Sequence, residues 1–217
     1  METKITNLAK KNDLTGLAKY LLFNTHLIVN GISYRMLEIE LYVCNDKHYD
    51  VFAHQHKEQK NMLTWYFHQM SDKEHSYKGG NYKGLDITCA NSSTEINKAS
   101  YSGILIRAIL NEKTDQVIEG PCKVVNEILS KTKCESIKDL VIKKLNNELG
   151  CQKNDLLKLE LKQYGKEEIY VAPRIGLSMK GDEANVIEKK KWIDKKYRFI
   201  VMKDKIKKEK KKMELLE

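Results

Sequence analysis

A strictly alternating segment, residues 34–43, constrains the fold of this chain more than any other feature. Leu37, Ile39, Leu41 and Val43 fall on one face of a strand, and Tyr34, Met36, Glu38, Glu40 and Tyr42 on the other, because strand side chains change sides at every residue. The first face is an ordinary core face. The second places carboxylates beside aromatic rings, which predicts the floor of a pocket where an acid lies next to a stacking surface.

This strand is predicted to be the second arm of a hairpin. Asn30-Gly31 separates two β-rich runs, and both central residues of a type I′ turn need a positive φ. Further strands are predicted at residues 62–68, 85–89, 101–110, 157–162, 169–172 and 197–202, with 157–162 paired to 169–172. Helices are predicted over residues 13–22, from Gly120-Pro121 and from Ser136.

Composition limits the class of protein and of partner. A net charge of +9 favours a polyanionic partner, nucleic acid first and an acidic membrane surface second. A Lys-rich surface without any binding site is the open alternative, since charge identifies no site. No apolar run reaches membrane-spanning length, which predicts a soluble protein without a membrane partner.

The cysteines indicate an intracellular protein. Five cysteines are scattered through the chain, an odd number with no C-x-x-C spacing. This pattern favours reduced thiols and argues against a disulfide framework or a cysteine-based zinc site. A nuclear or cytoplasmic location is therefore expected.

Two further polar segments have open interpretations. His48, His54 and His56 lie among acidic residues and could bind a metal, although a solvent-exposed polar loop explains them without one. The Gly-rich stretch from residue 77 to 84 carries Tyr77, Lys78, Tyr82 and Lys83, a composition that suits phosphate contact and base stacking. A plain turn connection between strands fits that stretch equally well.

Arg107 stands inside an apolar strand. A buried arginine is rare without a carboxylate or phosphate partner, so either Glu38 or Glu40 satisfies it structurally or it belongs to a pocket. From Lys203 to Glu217 the chain is dominated by lysine, which predicts a solvated helix or a disordered tail after a domain of residues 1–202. A phosphate-contacting arm or nuclear address is the alternative for that segment.

Motifs along nearly the whole chain, from about Leu17 to Met202, resemble those of the alkyladenine (3-methyladenine) DNA glycosylase family. Glu38-Ile39-Glu40-Leu41-Tyr42 is similar to that family's E-T-E-A-Y strand. The other similar blocks, in the same order, are Leu17–Leu22, Phe52-Ala53-His54, Ile104–Ile109, Gly120–Val124, Ala172–Ser178 and Tyr197-Arg198-Phe199.

The resemblance implies one α+β domain with a curved, mostly antiparallel sheet or open barrel flanked by helices. It implies a monomeric, monofunctional hydrolase that excises alkylated or deaminated purines from DNA during base excision repair, by base flipping and without a metal or other cofactor. A catalytically silent relative that binds nucleic acid or nucleotides is the alternative.

The resemblance also implies roles for individual residues. Glu40 would activate water for attack at C1′, Arg107 would help hold that water, and Tyr42 would stack on the extruded base. His54 and Asp86 would face the base edge, where aspartate replaces the family's asparagine. Residues predicted to contact nucleic acid are Tyr77, Lys78, Tyr82, Lys83 and Arg174. The family's tyrosine-rich wedge segment is missing from this chain.

Overall fold

The predicted hairpin is present in the computed structural model, which describes residues 1–90, 100–165, 167–208 and 210–216. β1 (Thr25–Val29) and β2 (Ile32–Asn45) pair antiparallel around the turn. Asn30 and Gly31 have φ values of 48° and 76°, as the type I′ geometry requires. The hairpin prediction is confirmed.

β2 lies at the centre of a large antiparallel sheet. The remaining strands are β3 (His48–Tyr49), β4 (Met62–Phe67), β5 (Leu85–Cys89), β6 (Tyr101–Asn111), β7 (Gln116–Glu119), β8 (Leu157–Leu161), β9 (Ile169–Ala172), β10 (Arg198–Val201) and β11 (Glu214–Leu215). Among the described strands the main path runs β11-β9-β10-β2-β6-β5-β4, and β1, β3, β7 and β8 are attached beside it. The long strands β2 and β6 pair over most of their length.

Helices flank this sheet, and all of them except the last along the chain contribute buried side chains to the core. They are α1 (Glu2–Lys10), α2 (Leu14–Asn24), α3 (Pro121–Thr132), the short α4 (Ile137–Asp139) that continues into a π turn (Leu140–Lys144), and α5 (Glu183–Trp192). Asp13 caps α2 by accepting from the Gly16 N–H at 2.8 Å, and Pro121 opens α3. Within the described residues, no helix is both long and apolar enough to cross a bilayer.

The core contains the side chains that the alternation of β2 assigns to its apolar face. Ile39 and Leu41 are buried together with Ile104 and Ile106 of β6 and the apolar stripes of α2 and α3. The fold is therefore α+β with a large, mostly antiparallel open sheet flanked by helices. The opposite face of the same strands carries Glu40 and its neighbours.

One predicted strand pairing is wrong. β8 pairs with β1 over all five residues, from Thr25↔Leu161 to Val29↔Leu157, whereas β9 lies between β10 and β11. The first arm of the hairpin leaves a free edge, and β8 satisfies the backbone groups of that edge. The alternation in residues 157–162 identified a strand correctly but carried no information about its partner.

The lysine-rich C-terminal segment also differs from the predicted helix or tail. Its described part forms two 3₁₀ turns (Lys203–Lys205 and Lys210–Lys212) and β11, which pairs with β9. Ile206 and Met213 are buried in the same core as the rest of the chain. These two apolar side chains, seven residues apart among the lysines, anchor the segment to the domain.

Candidate functional site

A row of side chains crosses the polar face of the sheet at the level of Glu40. The cross-strand pairs are Tyr66↔Asp86, Asp86↔Leu105, Leu105↔Glu40 and Glu40↔Arg198. Residues directly opposite each other point to the same face. Asp86 and Glu40 therefore share this face, two strands and roughly 10 Å apart.

Arg107 reaches the polar face through an irregularity in β6. Ile39 pairs with Ile106 while Glu38 pairs with Ala108, so Arg107 is an extra residue in β6 at this point. Such a bulge re-aims a side chain. Arg107 Nε donates to Glu38 Oε1 at 2.9 Å and Nη1 donates to Glu40 Oε2 at 3.3 Å. The prediction that Arg107 has a carboxylate partner is confirmed, and it contacts both candidates.

Glu40 is fully buried, with 0% of its surface exposed. Besides Arg107, the Tyr42 hydroxyl donates to Oε2 at 2.8 Å and the Ile175 N–H donates to Oε1 at 2.7 Å. A carboxylate offers about four acceptor positions, so these three donors from the described chain leave one position, on Oε1. Burial raises the pKa of Glu40 against the opposing effect of Arg107 and these hydrogen bonds, which makes the carboxylate a stronger base.

The Tyr42 ring is supported from one side by Arg174. The guanidinium carbon lies 4.5 Å from the ring centroid, and Nη1 donates to the Leu41 carbonyl at 3.0 Å. Asp50 pairs with Arg174 through both oxygens, one of them 3.1 Å from Nη2. Arg174 is thus buried and paired. The predicted contact between Arg174 and nucleic acid does not fit this placement, and its role is to hold the Tyr42 ring.

His54 lies at the β4 side of the polar face. Its Nδ1 is 2.6 Å from the Tyr66 hydroxyl, and its ring neighbours are His56 and His68, with centroids 6.1 and 6.4 Å away. His54 is exposed, and partial desolvation of its imidazole, together with the charge of Lys78, lowers the pKa of His54 to about 4. The ring is therefore neutral at pH 7, and Nδ1 can accept from Tyr66.

The histidine loop does not assemble a metal site in the described chain. No group of three or more His, Cys, Asp or Glu residues there is arranged to hold a metal ion. His48 lies apart from the other two histidines, with its ring 4.9 Å from that of Trp192 and 5.2 Å from that of Tyr197. The metal alternative for His48, His54 and His56 therefore lacks a set of ligands.

Asp86 is buried, and both of its oxygens are occupied. His68 Nε2 is 2.8 Å from Oδ1, and Gln59 Nε2 donates to Oδ2 at 3.2 Å. Gln59 in turn accepts from the His56 N–H at 3.2 Å. No local sequence signal indicates His68 or Gln59 as partners, because they come from separate segments that only the folded sheet brings together.

Gly103 provides the space in which Asp86 and Gln59 meet. A Cβ atom at this position would lie 2.3 Å from Asp86 Oδ2 and 2.6 Å from Gln59 Nε2. We expect Gly103→Ala to break the Asp86–Gln59 bond and to destabilise the fold by about 1–3 kcal/mol, the usual cost of overpacking. Urea unfolding measures this loss.

Gly79→Ala is the matched control for that substitution. A Cβ atom there meets nothing within 4 Å, and the backbone has a φ of −100° that alanine adopts freely. Its stability should stay within about 0.5 kcal/mol of wild type. Equal stabilities of the two variants would show that Gly103 is not required for this packing.

The connection between β4 and β5 brings some of its predicted residues to the surface. Tyr82 is 80% exposed in a 3₁₀ turn (Gly80–Tyr82), and the Cys122 thiol at the start of α3 donates to the Gly80 carbonyl at 3.1 Å. Lys78 and Lys83 lie beside this turn and are partly exposed. Tyr77 instead packs edge-on against Phe67, so its ring is used within the fold.

The chain is similar in sequence to a mimivirus protein over most of its length. The uncharacterized protein L759 of Acanthamoeba polyphaga mimivirus is 36% identical over 197 residues, an alignment that covers 87% of this chain and 86% of the viral protein. The chain belongs to the family of this mimivirus protein. Neither a protein-family model nor a solved structure matches it. For this member of the mimivirus protein family, the resemblance to alkyladenine DNA glycosylases therefore rests on the sequence motifs alone.

Proposed function

We propose that this protein is a DNA glycosylase-like hydrolase that excises alkylated or deaminated purines. The observation that carries the proposal is the contact of Glu40 with both Arg107 and Tyr42. The three residues are those that the motif resemblance selects, and they come from two strands far apart in sequence. A carboxylate, a cation and an aromatic ring in contact are the groups that hydrolysis of a stacked nucleotide needs.

Glu40 acts as the general base in this proposal. It takes a proton from water, the water oxygen bonds to C1′, and the C1′–N bond breaks with its electron pair leaving on the purine. Burial raises the pKa of Glu40, and the stronger base that results is suited to this step. The acceptor position left on Oε1 is where the water would bind, and Arg107 would steady it from the neighbouring oxygen.

Tyr42 stacks on the flipped base with the ring face that Arg174 does not cover. Base–aromatic stacking contributes about 1–3 kcal/mol per base. His54 lies further along the same polar face, on the β4 side, where it would contact the base edge. Asp86 lies beside it on β5, and because its two oxygens bind His68 and Gln59, it would act on that edge through these partners. The net charge of +9 and the surface residues Lys78, Tyr82 and Lys83 suit a DNA partner.

A second function, binding without excision, is favoured by one observation. Glu40 has no exposed surface, and three donors already occupy its carboxylate. A nucleotide can reach it only if residues 173–175 or a neighbouring segment move. A relative that binds nucleic acid or nucleotides through Tyr42 and the basic surface, with Glu40 as a structural group, would need no such opening.

Single-turnover excision distinguishes the two functions. The wild-type protein is incubated with duplex and single-stranded oligonucleotides that carry hypoxanthine, ethenoadenine or methylated purines. Alkali cleavage reports abasic sites, and fluorescence anisotropy reports binding of the same oligonucleotides. We expect abasic sites from at least one lesion. Binding to these oligonucleotides without any abasic product would overturn the proposed activity and support the binding function.

A further inference from the structure

The Glu40–Arg107 contact is one end of a buried chain of charges. Arg198 Nε donates to Glu38 Oε1 at 2.5 Å, and Arg107 Nε donates to the same oxygen at 2.9 Å. Arg107 then reaches Glu40 through Nη1. The order is Arg198–Glu38–Arg107–Glu40, and two cations and two carboxylates make it neutral.

Arg198 is held in place by the lysine-rich C-terminal segment. Its side chain is completely buried, and Nη2 donates to the Lys208 carbonyl at 3.1 Å. The carboxylate of Glu119 accepts from the backbone N–H groups of Lys207 and Lys208, at 3.1 and 2.8 Å. The segment therefore closes over Arg198 and excludes water from this end of the chain.

A buried arginine paired to one carboxylate is often no more than a satisfied core charge. Two observations indicate that Arg198 also influences the position of Arg107. Arg198 shares a single carboxylate oxygen with Arg107, so any change at Arg198 alters the bond that orients Arg107. Arg107 in turn lies at a bulge, and its guanidinium donates hydrogen bonds to both Glu38 and Glu40. Its position therefore depends on the strength of its interaction with each of the two carboxylates.

We infer that Arg198 and Glu38 are positioning residues that set how Arg107 is shared between the two carboxylates, and thereby how tightly Glu40 holds a proton. The inference depends on the proposed function only for its effect on excision. The arrangement of charges itself does not require catalysis. Neither residue is placed in contact with substrate.

Other groups around Glu40 stay constant in the test. Tyr42 faces it from β2, and the Ile175 N–H faces it from the segment after β9. Arg174 lies behind the Tyr42 ring, paired with Asp50. None of these contacts Glu38 or Arg198 through a hydrogen bond in the described chain, so the two substitutions leave them in place. The charge of Glu38 itself also raises the pKa of Glu40, so Glu38→Gln lowers that pKa both directly and through Arg107.

The two single substitutions should move the Glu40 titration in opposite directions. In Glu38→Gln, Arg107 loses its competing carboxylate and turns fully to Glu40, which lowers the pKa of Glu40. In Arg198→Gln, Glu38 loses one of its two cations and draws Arg107 away, which raises the pKa of Glu40. A unit charge at this range in protein shifts a pKa by roughly one unit.

Carbon-13 NMR of protein labelled at the glutamate carboxyl groups measures these shifts directly. The Glu40 signal is assigned as the one missing from Glu40→Gln, and its titration midpoint is compared between wild type, Glu38→Gln and Arg198→Gln. Arg35→Gln is the matched control, since Arg35 is also a buried arginine paired with a glutamate, Glu167, but outside this chain of charges. It should leave the midpoint unchanged.

Opposite shifts of about one unit support the inference, and shifts of the same sign, or none, overturn it. If Arg198→Gln does not fold, the double variant Glu38→Gln/Arg198→Gln, which removes one whole ion pair and keeps the interior neutral, decides. Without the Glu38 carboxylate Arg198 has no route to Arg107, so the double-variant midpoint should equal that of Glu38→Gln. A double-variant midpoint displaced from the Glu38→Gln value towards wild type would show that Arg198 acts on Glu40 by its own charge, and would overturn its positioning role.

The titration also separates this inference from the proposed function. If wild type excises purines, the acid limb of its single-turnover pH profile should move with the NMR midpoint in each variant. If no lesion is excised but the midpoints move in opposite directions, the positioning roles hold and the proposed activity fails. If excision occurs and the midpoints do not move, the activity stands and the positioning roles fail.

Discussion

Glu40→Gln is expected to lower the single-turnover excision rate by a factor of about 10²–10⁴, the usual contribution of a general base. Glutamine keeps the size of the side chain and an oxygen that can accept from the Ile175 N–H, but it cannot take a proton from water. Oligonucleotide affinity should stay near the wild-type value, because Tyr42 and the basic surface are unchanged. The excision rate at saturating protein and the binding anisotropy are measured on the same lesion.

Glu148→Gln serves as the control for that experiment. Glu148 is exposed in the turn that follows the π turn, away from the polar face, and its substitution should change neither rate nor affinity. Circular dichroism confirms that both variants are folded. Excision that proceeds at the wild-type rate in Glu40→Gln would exclude Glu40 as the base.

Asp50→Asn should destabilise the fold by about 3–5 kcal/mol, the range found when one partner of a buried ion pair is removed. Arg174 would keep its charge in the interior with only the Leu41 carbonyl and the surrounding rings as neighbours. Asparagine has nearly the volume of aspartate, so the loss reflects charge rather than packing. Urea unfolding gives the free energy, with an unchanged m-value expected.

Asp46→Asn is the matched substitution for this measurement. Asp46 lies in the same turn region but is exposed, so its variant should unfold within about 0.5 kcal/mol of wild type. If Asp50→Asn is as stable as Asp46→Asn, then Arg174 does not depend on Asp50. In that case the support for the Tyr42 ring must come from other contacts.

The secondary structure around the site was predictable because its signals are local. A period of two in residues 34–43 and the Asn30-Gly31 turn identified the hairpin, and α2 and α3 followed from apolar spacing with Asp13 and Pro121 at their starts. The same local signals failed for strand partners. Residues 157–162 alternate cleanly, yet alternation is the same whichever edge a strand joins, and β8 joined β1.

The electrostatic partners of the buried arginines were also predictable only in part. A buried arginine is rare without a carboxylate or phosphate partner, so a bond from Arg107 to Glu38 or Glu40 was one of the two interpretations that residue types alone allowed. For Arg174, by contrast, the partner was not predicted. Its predicted contact with nucleic acid came with the motif resemblance, whereas Asp50 from a distant segment pairs with it in the interior.

Residue types and spacing were thus sufficient for the hairpin, for the polar face of β2 and for the need of a partner at Arg107, whereas the α+β class was implied by the motif resemblance. Tertiary structure alone decided that Arg107 bridges two carboxylates, that Asp86 binds His68 and Gln59, and that the lysine-rich segment closes over Arg198. The physical reason is the distance along the chain over which each kind of interaction acts. Periodicity and turn preference act within a few residues, whereas buried charges are satisfied by whichever segments the sheet brings within hydrogen-bonding distance.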